Sequence, residues 1–491
     1  MASKFEQLRE KLNELKVLGH IGALLDWDQQ VNLPPAAGAG RTEQVEYVAS
    51  AVHQRLTSDS LLELTQSCER EPLDPDQSLV VSELARTIQK QRRLPPEFVA
   101  KSARATSEMF QAWQVAKPAG DWKGVQGRFS EVVKIYREEG ERLADGATPY
   151  DALLDKYERG AKVAQLKPLF VRLADKLSAL VKILKERNTV VPPFSIPVEV
   201  QAKVNNRIAR LIGYDFSRGA LHTAAHPFMT SLGADDFRIT TRYFPENPLS
   251  TVYSTLHEVG HALYEQGLPA EWCGTARGQS ISLGVHESQS RFWENMIGRR
   301  ATFMPHLARA YHEEGVTRTE AQLWSEANRV NPSFIRVEAD EVTYSLHVVI
   351  RLMLEEALIS GDLSVTDLPG AWNDAYERYL GIQPATPTLG VLQDVHWYCG
   401  LIGYFPTYVL GNLYGGMILN ALEKELGSVD PLVAAGEFAP ILGWLRRNIH
   451  THGMKYGALE LVEGLAKENF SEKPFLTYLS SKFGVAESSF Q

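Results

Sequence analysis

His257 and His261, in the run His-Glu-Val-Gly-His, constrain this chain more than any other feature of its sequence. Four residues apart, their imidazoles share a face only if the segment is an α-helix, about 6 Å apart along its axis. There they can converge on one Zn²⁺, with Glu258 beside the remaining coordination position as general base. The flanks favour a helix. Asn247-Pro248 offers an N-cap followed by Pro at the first helical position, and Gly267 with Pro269 gives a stop.

Such an ion needs a third protein ligand. Glu265 is the nearest carboxylate, but eight helical residues, about 12 Å, separate it from His257, and metal bonds of roughly 2 Å cannot span that. Glu265 therefore reads as solvated, or as a residue behind a ligand. A second helical pattern begins at His286-Glu287, after a Gly/Ser-containing loop. Its apolar side is Phe292, Trp293, Met296 and Ile297, and its polar side is Glu287, Arg291 and Glu294. Glu287 is the first choice for the third ligand, and Glu294 is its competitor.

Several further motifs follow one another in order. They are Leu24 to Asp28, His226-Pro227-Phe228, Asp236-Phe237-Arg238-Ile239-Thr240, His257 to His261, His286 to Arg291, Ile335 to Asp340, and Gly390 to Trp397. Together they resemble the signature set of the carboxypeptidase Taq family of metallocarboxypeptidases. The resemblance runs over most of the chain. It implies a large, almost wholly helical, zincin-like peptidase with a deep central cleft. It further implies one Zn²⁺ per chain, replaceable by Co²⁺, removal of single residues from peptide C-termini, and a homodimer.

The rest of the sequence is compatible with a mainly α enzyme. Leu166, Leu169, Phe170, Leu173, Leu177, Leu180, Val181 and Leu184 recur at three- and four-residue steps. Phe5, Leu8, Leu12 and Leu15, among charged residues, give Met1 to Leu18 the form of an amphipathic helix and not of an export signal. The run Val190 to Pro197 breaks the helical pattern and is the best internal boundary. It divides a helical N-terminal lobe, residues 1–189, covering the cleft, from a catalytic lobe, residues 190–491. Asp236 to Phe244 alternates as a β-strand does, and a small sheet beside the metal helix would align an extended peptide. His226 reads as a hydrogen-bonded core histidine.

Composition excludes other classes. A formal net charge of −9 without a basic stripe argues against nucleic-acid binding. The 3 cysteines, Cys68, Cys273 and Cys399, are odd in number and widely spaced, which fits a reducing cytoplasm. No Asp, Glu, Lys or Arg occurs between Asp394 and Glu423, enough chain to span a bilayer. Its glycines, asparagines, tyrosines and Pro406 instead suit a helix buried beside a cleft.

Peptide hydrolysis through such a site needs donors for a tetrahedral intermediate, for which His396 and Tyr408 are candidates. A carboxypeptidase must also read a free α-carboxylate, which a guanidinium does bidentately. Arg336 is the first choice, from its match to the family pattern, and Arg238 the second. Asp340 stands four residues after Arg336 and Asp236 two before Arg238, so either arginine can instead be an ion-pair partner. Two other readings stand beside the carboxypeptidase. One is an oligopeptidase or dipeptidyl carboxypeptidase with the same metal site, and the other is a non-catalytic helical peptide-binding protein.

Overall fold

The long N-terminal helix, Lys4–Val31, starts at a capping box in which Ser3 accepts from the Glu6 amide and Glu6 reaches back to the Ser3 amide. Its first half buries Phe5, Leu8 and Leu12, as an amphipathic segment should. The structure, a computed structural model, describes residues 3–490, so Met1, Ala2 and Gln491 lie outside it. Helix follows helix along almost the whole of that range, and the fold is mainly α. The periodic stretch near residue 170 forms the helix Val163–Leu184, with all eight of its periodic apolar residues buried.

Apolar side chains collect in two clusters. The larger runs from Met109 to Phe490 and crosses residues 190–197 without a break, joining Leu173 and Leu177 to Val204 and Ile208. The smaller lies within the N-terminal helices and centres on Phe5, Leu8, Leu12, Leu61, Val80, Val81 and Ile88. Ion pairs bridge the two clusters. Asp155 binds Arg86 at 2.5 Å and also Lys90, Arg159 binds Glu83, and Arg277 binds Asp76 at 3.0 Å.

A three-stranded sheet forms one wall near the histidines. Strands β1 (Gly219–Thr223), β2 (Met229–Gly233) and β3 (Asp236–Thr241) lie in the order β1-β3-β2, with β3 parallel to β1 and antiparallel to β2. The strand expected to reach Phe244 stops at Thr241. The chain there turns to dock on the next helix, where Thr251 donates to the Arg242 carbonyl and accepts from the Phe244 amide, both at 3.3 Å. Because β3 is central, its main chain is used on both sides. An extended peptide can join this sheet only along the outer edge of β1 or β2.

The metal helix, Pro248–Glu265, has the N-cap expected of it: Asn247 accepts from the Ser250 amide at 3.3 Å, with Pro248 next. Next in the chain comes the carboxylate helix, Leu283–Arg291, which passes directly into a π-helical turn, Phe292–Ile297. The long uncharged stretch folds as the tyrosine helix, Pro406–Leu426, buried over most of its length. Among the described residues no helix is long and apolar enough to cross a membrane.

Glu158 ties the N-terminal half to the carboxylate helix. It is fully buried and accepts from the Gly284 amide at 2.9 Å, Ser282 Oγ at 3.1 Å and the Tyr414 hydroxyl at 3.0 Å. Burial pushes its carboxyl up to about 7, against the opposing effect of those donors. A folded-state value raised above the unfolded one gives stability that is complete below about pH 4.5 and lost as pH rises through about 7. Glu158→Gln removes that loss. Urea unfolding should show the variant gaining on wild type by up to roughly 3 kcal/mol between about pH 5 and pH 8. An equal difference at both pH values would mean that Glu158 does not titrate in the folded protein.

Candidate metal centre and cleft

The metal and carboxylate helices bring His257, His261 and Glu287 together. One donor atom from each lies within 4.8 Å of the others. Glu287 Oε2 is 3.6 Å from His257 Nε2 and 3.4 Å from His261 Nε2. Two imidazoles and one carboxylate, with no fourth ligand grouped with them among the described residues, are the donor set of an open divalent-metal site. Their charge states also fit. Burial pushes the Glu287 carboxyl up, but Arg291 and His257 outweigh it and hold the group ionised, well below its usual range. Burial and His286 drive His261 down to about 3, so it stays the neutral imidazole that a metal requires.

Glycine makes this approach possible. A Cβ on Gly260 would stand 2.6 Å from the Gln289 carbonyl and from Ser290 Cα. On the other side of the carboxylate helix, a Cβ on Gly411 would stand 2.5 Å from Glu287 Cγ.

Each candidate ligand is held from behind. Arg291 Nε donates to Glu287 Oε1 at 2.8 Å, and Ser290 Oγ to Glu287 Oε2 at 3.1 Å. Glu294, the competitor for the third position, sits behind His257, 2.9 Å from its Nδ1, and accepts from Arg291 and Arg299. His261 Nδ1 meets His286 Nδ1 at 2.6 Å, and His286 Nε2 lies 3.0 Å from Glu265 Oε1. Glu265 is therefore joined to the site through His286.

Glu258 is buried on the same helix. Burial pushes its carboxyl up to about 7, opposed by the charge of His257 and assisted by that of Glu287. A carboxyl with that value takes up and releases a proton near neutrality.

The tyrosine helix carries Tyr408 one turn before Gly411, and His396 Nε2 lies 3.3 Å from the Tyr408 hydroxyl. Burial, then Arg336, drives His396 down to about 3, which keeps it neutral. The loop bearing His396 is fastened from two sides. Glu355 accepts from Trp397 Nε1 at 2.6 Å, the Gly403 amide at 3.2 Å and the Tyr150 hydroxyl at 2.8 Å. Trp113 Nε1 and Lys117 Nζ donate to the carbonyls of Leu392 and Gln393 at 2.9 and 2.8 Å.

Arg336 is buried against Asp394, with its Nε 3.0 Å from Oδ1, and donates to the Tyr344 hydroxyl at 2.9 Å. Its carboxylate partner is thus Asp394 and not Asp340, which caps the following helix through the Val342 and Thr343 amides, both at 3.0 Å. Asp394 also takes Arg351 at 2.6 Å, so two guanidinium groups share one carboxylate beside Tyr344, Phe405 and Tyr408. Arg238 is closed by Asp236 in a bidentate pair at 2.9 and 2.8 Å, and Trp27 lies over it at 4.4 Å. His226, expected in the core, is exposed, and only its carbonyl faces Thr240, at 3.4 Å.

A family model described as carboxypeptidase Taq (M32) metallopeptidase matches residues 7–483. This chain belongs to that family. Thermostable carboxypeptidase 1 of Thermus thermophilus is 41% identical over 98% of this chain and 98% of its own length. Carboxypeptidase 1 of Bacillus subtilis is 33% identical over 97% of each. The crystal structure of an M32 carboxypeptidase from Deinococcus radiodurans superposes with a TM-score of 0.94 at 34% identity, covering 100% of both chains. The expected fold and family are borne out, and the protein is an M32 metallocarboxypeptidase.

Several residues of this M32 site carried no readable role in the sequence. His286 was visible only as part of a motif, and Tyr344, Arg351 and Asp394 lie far from the histidines in sequence. The spacing that aligned Glu287, Arg291 and Glu294 on one side was the only available signal for the Arg291 bridge.

Gly260→Ala should displace the carboxylate helix, because the new methyl meets backbone and not a flexible side-chain end. We expect a stability loss of about 1–3 kcal/mol and at least roughly tenfold weaker metal retention. Urea unfolding and metal analysis after dialysis would measure both. Full retention would show that the helices can separate without opening the site.

Proposed function

We propose that this metallocarboxypeptidase removes single residues from the free C-termini of peptides, with broad preference, using Zn²⁺ or Co²⁺ held by His257, His261 and Glu287. The observation that carries the reading is Glu258, buried one residue after a metal-facing histidine and raised to about 7. A divalent ion held by His257, His261 and Glu287 would supply Lewis acidity towards the scissile carbonyl and make the attacking water more acidic. Glu258 accepts the proton of that water and passes it to the departing amine. Tyr408, paired with the neutral His396, donates to the oxygen on which negative charge develops.

Arg336 reads the substrate carboxylate. It and Arg351 share the single carboxylate of Asp394, so this aromatic-lined region holds a surplus positive charge that an α-carboxylate balances. Arg238 draws less support, because Asp236 already neutralises it. Residues 1–189 contribute the wall that holds the His396 loop through Trp113, Lys117 and Tyr150. The three cysteines are unpaired, which supports a reducing, cytoplasmic setting.

One unstructured peptide, as free acid and as C-terminal amide, tests the reading by mass spectrometry. A ladder of single-residue losses from the acid alone is expected, whereas internal cuts in both would make the protein an oligopeptidase. Glu258→Gln should keep the metal and lose at least about 10²–10⁴-fold in kcat. Tyr408→Phe should lose about 10–100-fold in kcat with KM little changed, and an unaltered kcat would remove Tyr408 from the reaction.

A further inference from the structure

We infer that His286 is a positioning residue for the metal ligand His261, fixing its tautomer through a hydrogen-bonded chain that begins on strand β2. The inference rests on the metal-ligand reading above and adds a role for residues outside the donor set. Its basis is the direction in which protons must point. Two imidazole nitrogens at 2.6 Å, His261 Nδ1 and His286 Nδ1, repel each other unless a proton lies between them.

His261 turns Nε2 towards Glu287, at 3.4 Å, so a neutral His261 that coordinates through Nε2 carries its proton on Nδ1 and donates it. His286 must then accept at Nδ1 and hold its own proton on Nε2. That nitrogen lies 3.0 Å from Glu265 Oε1, and Glu265 Oε2 accepts from Ser231 Oγ on β2 at 3.0 Å. Every link has one donor and one acceptor, which leaves a single self-consistent direction from His261 to Glu265. The opposite tautomer of His286 would set two N–H groups face to face and turn the His261 ring away.

The second ligand is treated differently. His257 Nδ1 meets the Glu294 carboxylate directly at 2.9 Å, and Arg291 and Arg299 hold that carboxylate. His261 is thus backed by an imidazole ring and His257 by a carboxylate. The His286 ring lies between two other rings, its centroid 4.5 Å from that of His261 and 5.5 Å from that of Tyr264.

The test is the zinc dissociation constant of the full chain, measured by chelator competition, together with the visible spectrum of the cobalt-loaded protein. His286→Ala should weaken zinc binding by about 10–100-fold and change the cobalt spectrum. His286→Gln should restore affinity to within roughly threefold, because one amide can accept from His261 and donate to Glu265. Glu265→Ala should give an intermediate loss. Thermal unfolding of the metal-free variants separates these effects from folding.

Unchanged zinc affinity in His286→Ala overturns the inference. So does a Gln variant as weak as the Ala variant while the metal-free proteins unfold alike. If His286→Ala does not fold, wild-type affinity in Glu265→Ala overturns it instead. Failure of the wild-type protein to bind zinc would overturn the metal-ligand reading itself, whatever the variants do.

Discussion

The distance between two helix axes governs this site. Glu287 reaches the histidines because the metal helix presents only a hydrogen atom at Gly260 to the backbone of Gln289 and Ser290. The tyrosine helix does the same at Gly411 against Glu287, and at Gly415, where a Cβ would stand 3.0 Å from Met296 Cε. The carboxylate helix therefore faces bare hydrogen atoms at Gly260 on one side and at Gly411 and Gly415 on the other. Metal–ligand bonds tolerate only about 0.2 Å of error, less than the width of a methyl group. Small residues at these contacts fix the site before any ligand chemistry does.

Buried charge is then arranged around that slot. Arg291 bridges Glu287 and Glu294, and its guanidinium lies 4.0 Å over the Tyr344 ring. Tyr344 accepts from Arg336, whose carboxylate partner Asp394 also binds Arg351. The candidate metal ligands and the candidate substrate-reading arginine thus belong to one continuous polar network. Burying single ions would be costly, but here each is paired and hydrogen-bonded. The arrangement also keeps Glu287 ionised while Glu258, with no arginine beside it, stays near neutrality.

The parts legible in the sequence were those set by local periodicity. Two histidines four residues apart, an Asn-Pro start and a second helical pattern point to His257 and His261, and narrow the third position to Glu287 or Glu294, with no knowledge of the tertiary fold. What escaped depends on contacts across the chain. Arg336 has an aspartate four residues on, yet Asp340 is consumed as a helix cap and the true partner is Asp394. Strands β1 and β2 are short and poor in β-branched residues, and they are strands because β3 pairs with both. Distance along its helix separates Glu265 from His257, but its link through His286 needed the carboxylate helix to be placed first.

The two hydrophobic clusters meet differently from the way helices meet inside either one. Within each cluster, cohesion comes from apolar contact, which added salt does not screen. Across the join stand Arg86, Lys90, Glu83, Asp155, Arg159, Asp76 and Arg277, most of them within reach of water. Attraction between such groups fades as ions accumulate, over a Debye length of about 10 Å at 0.1 M and about 3 Å at 1 M. The N-terminal helices are thus docked by a seam whose grip is set partly by the solution and not by the sequence alone. A given chain holds that cap more tightly in dilute buffer than in brine, although neither core has changed.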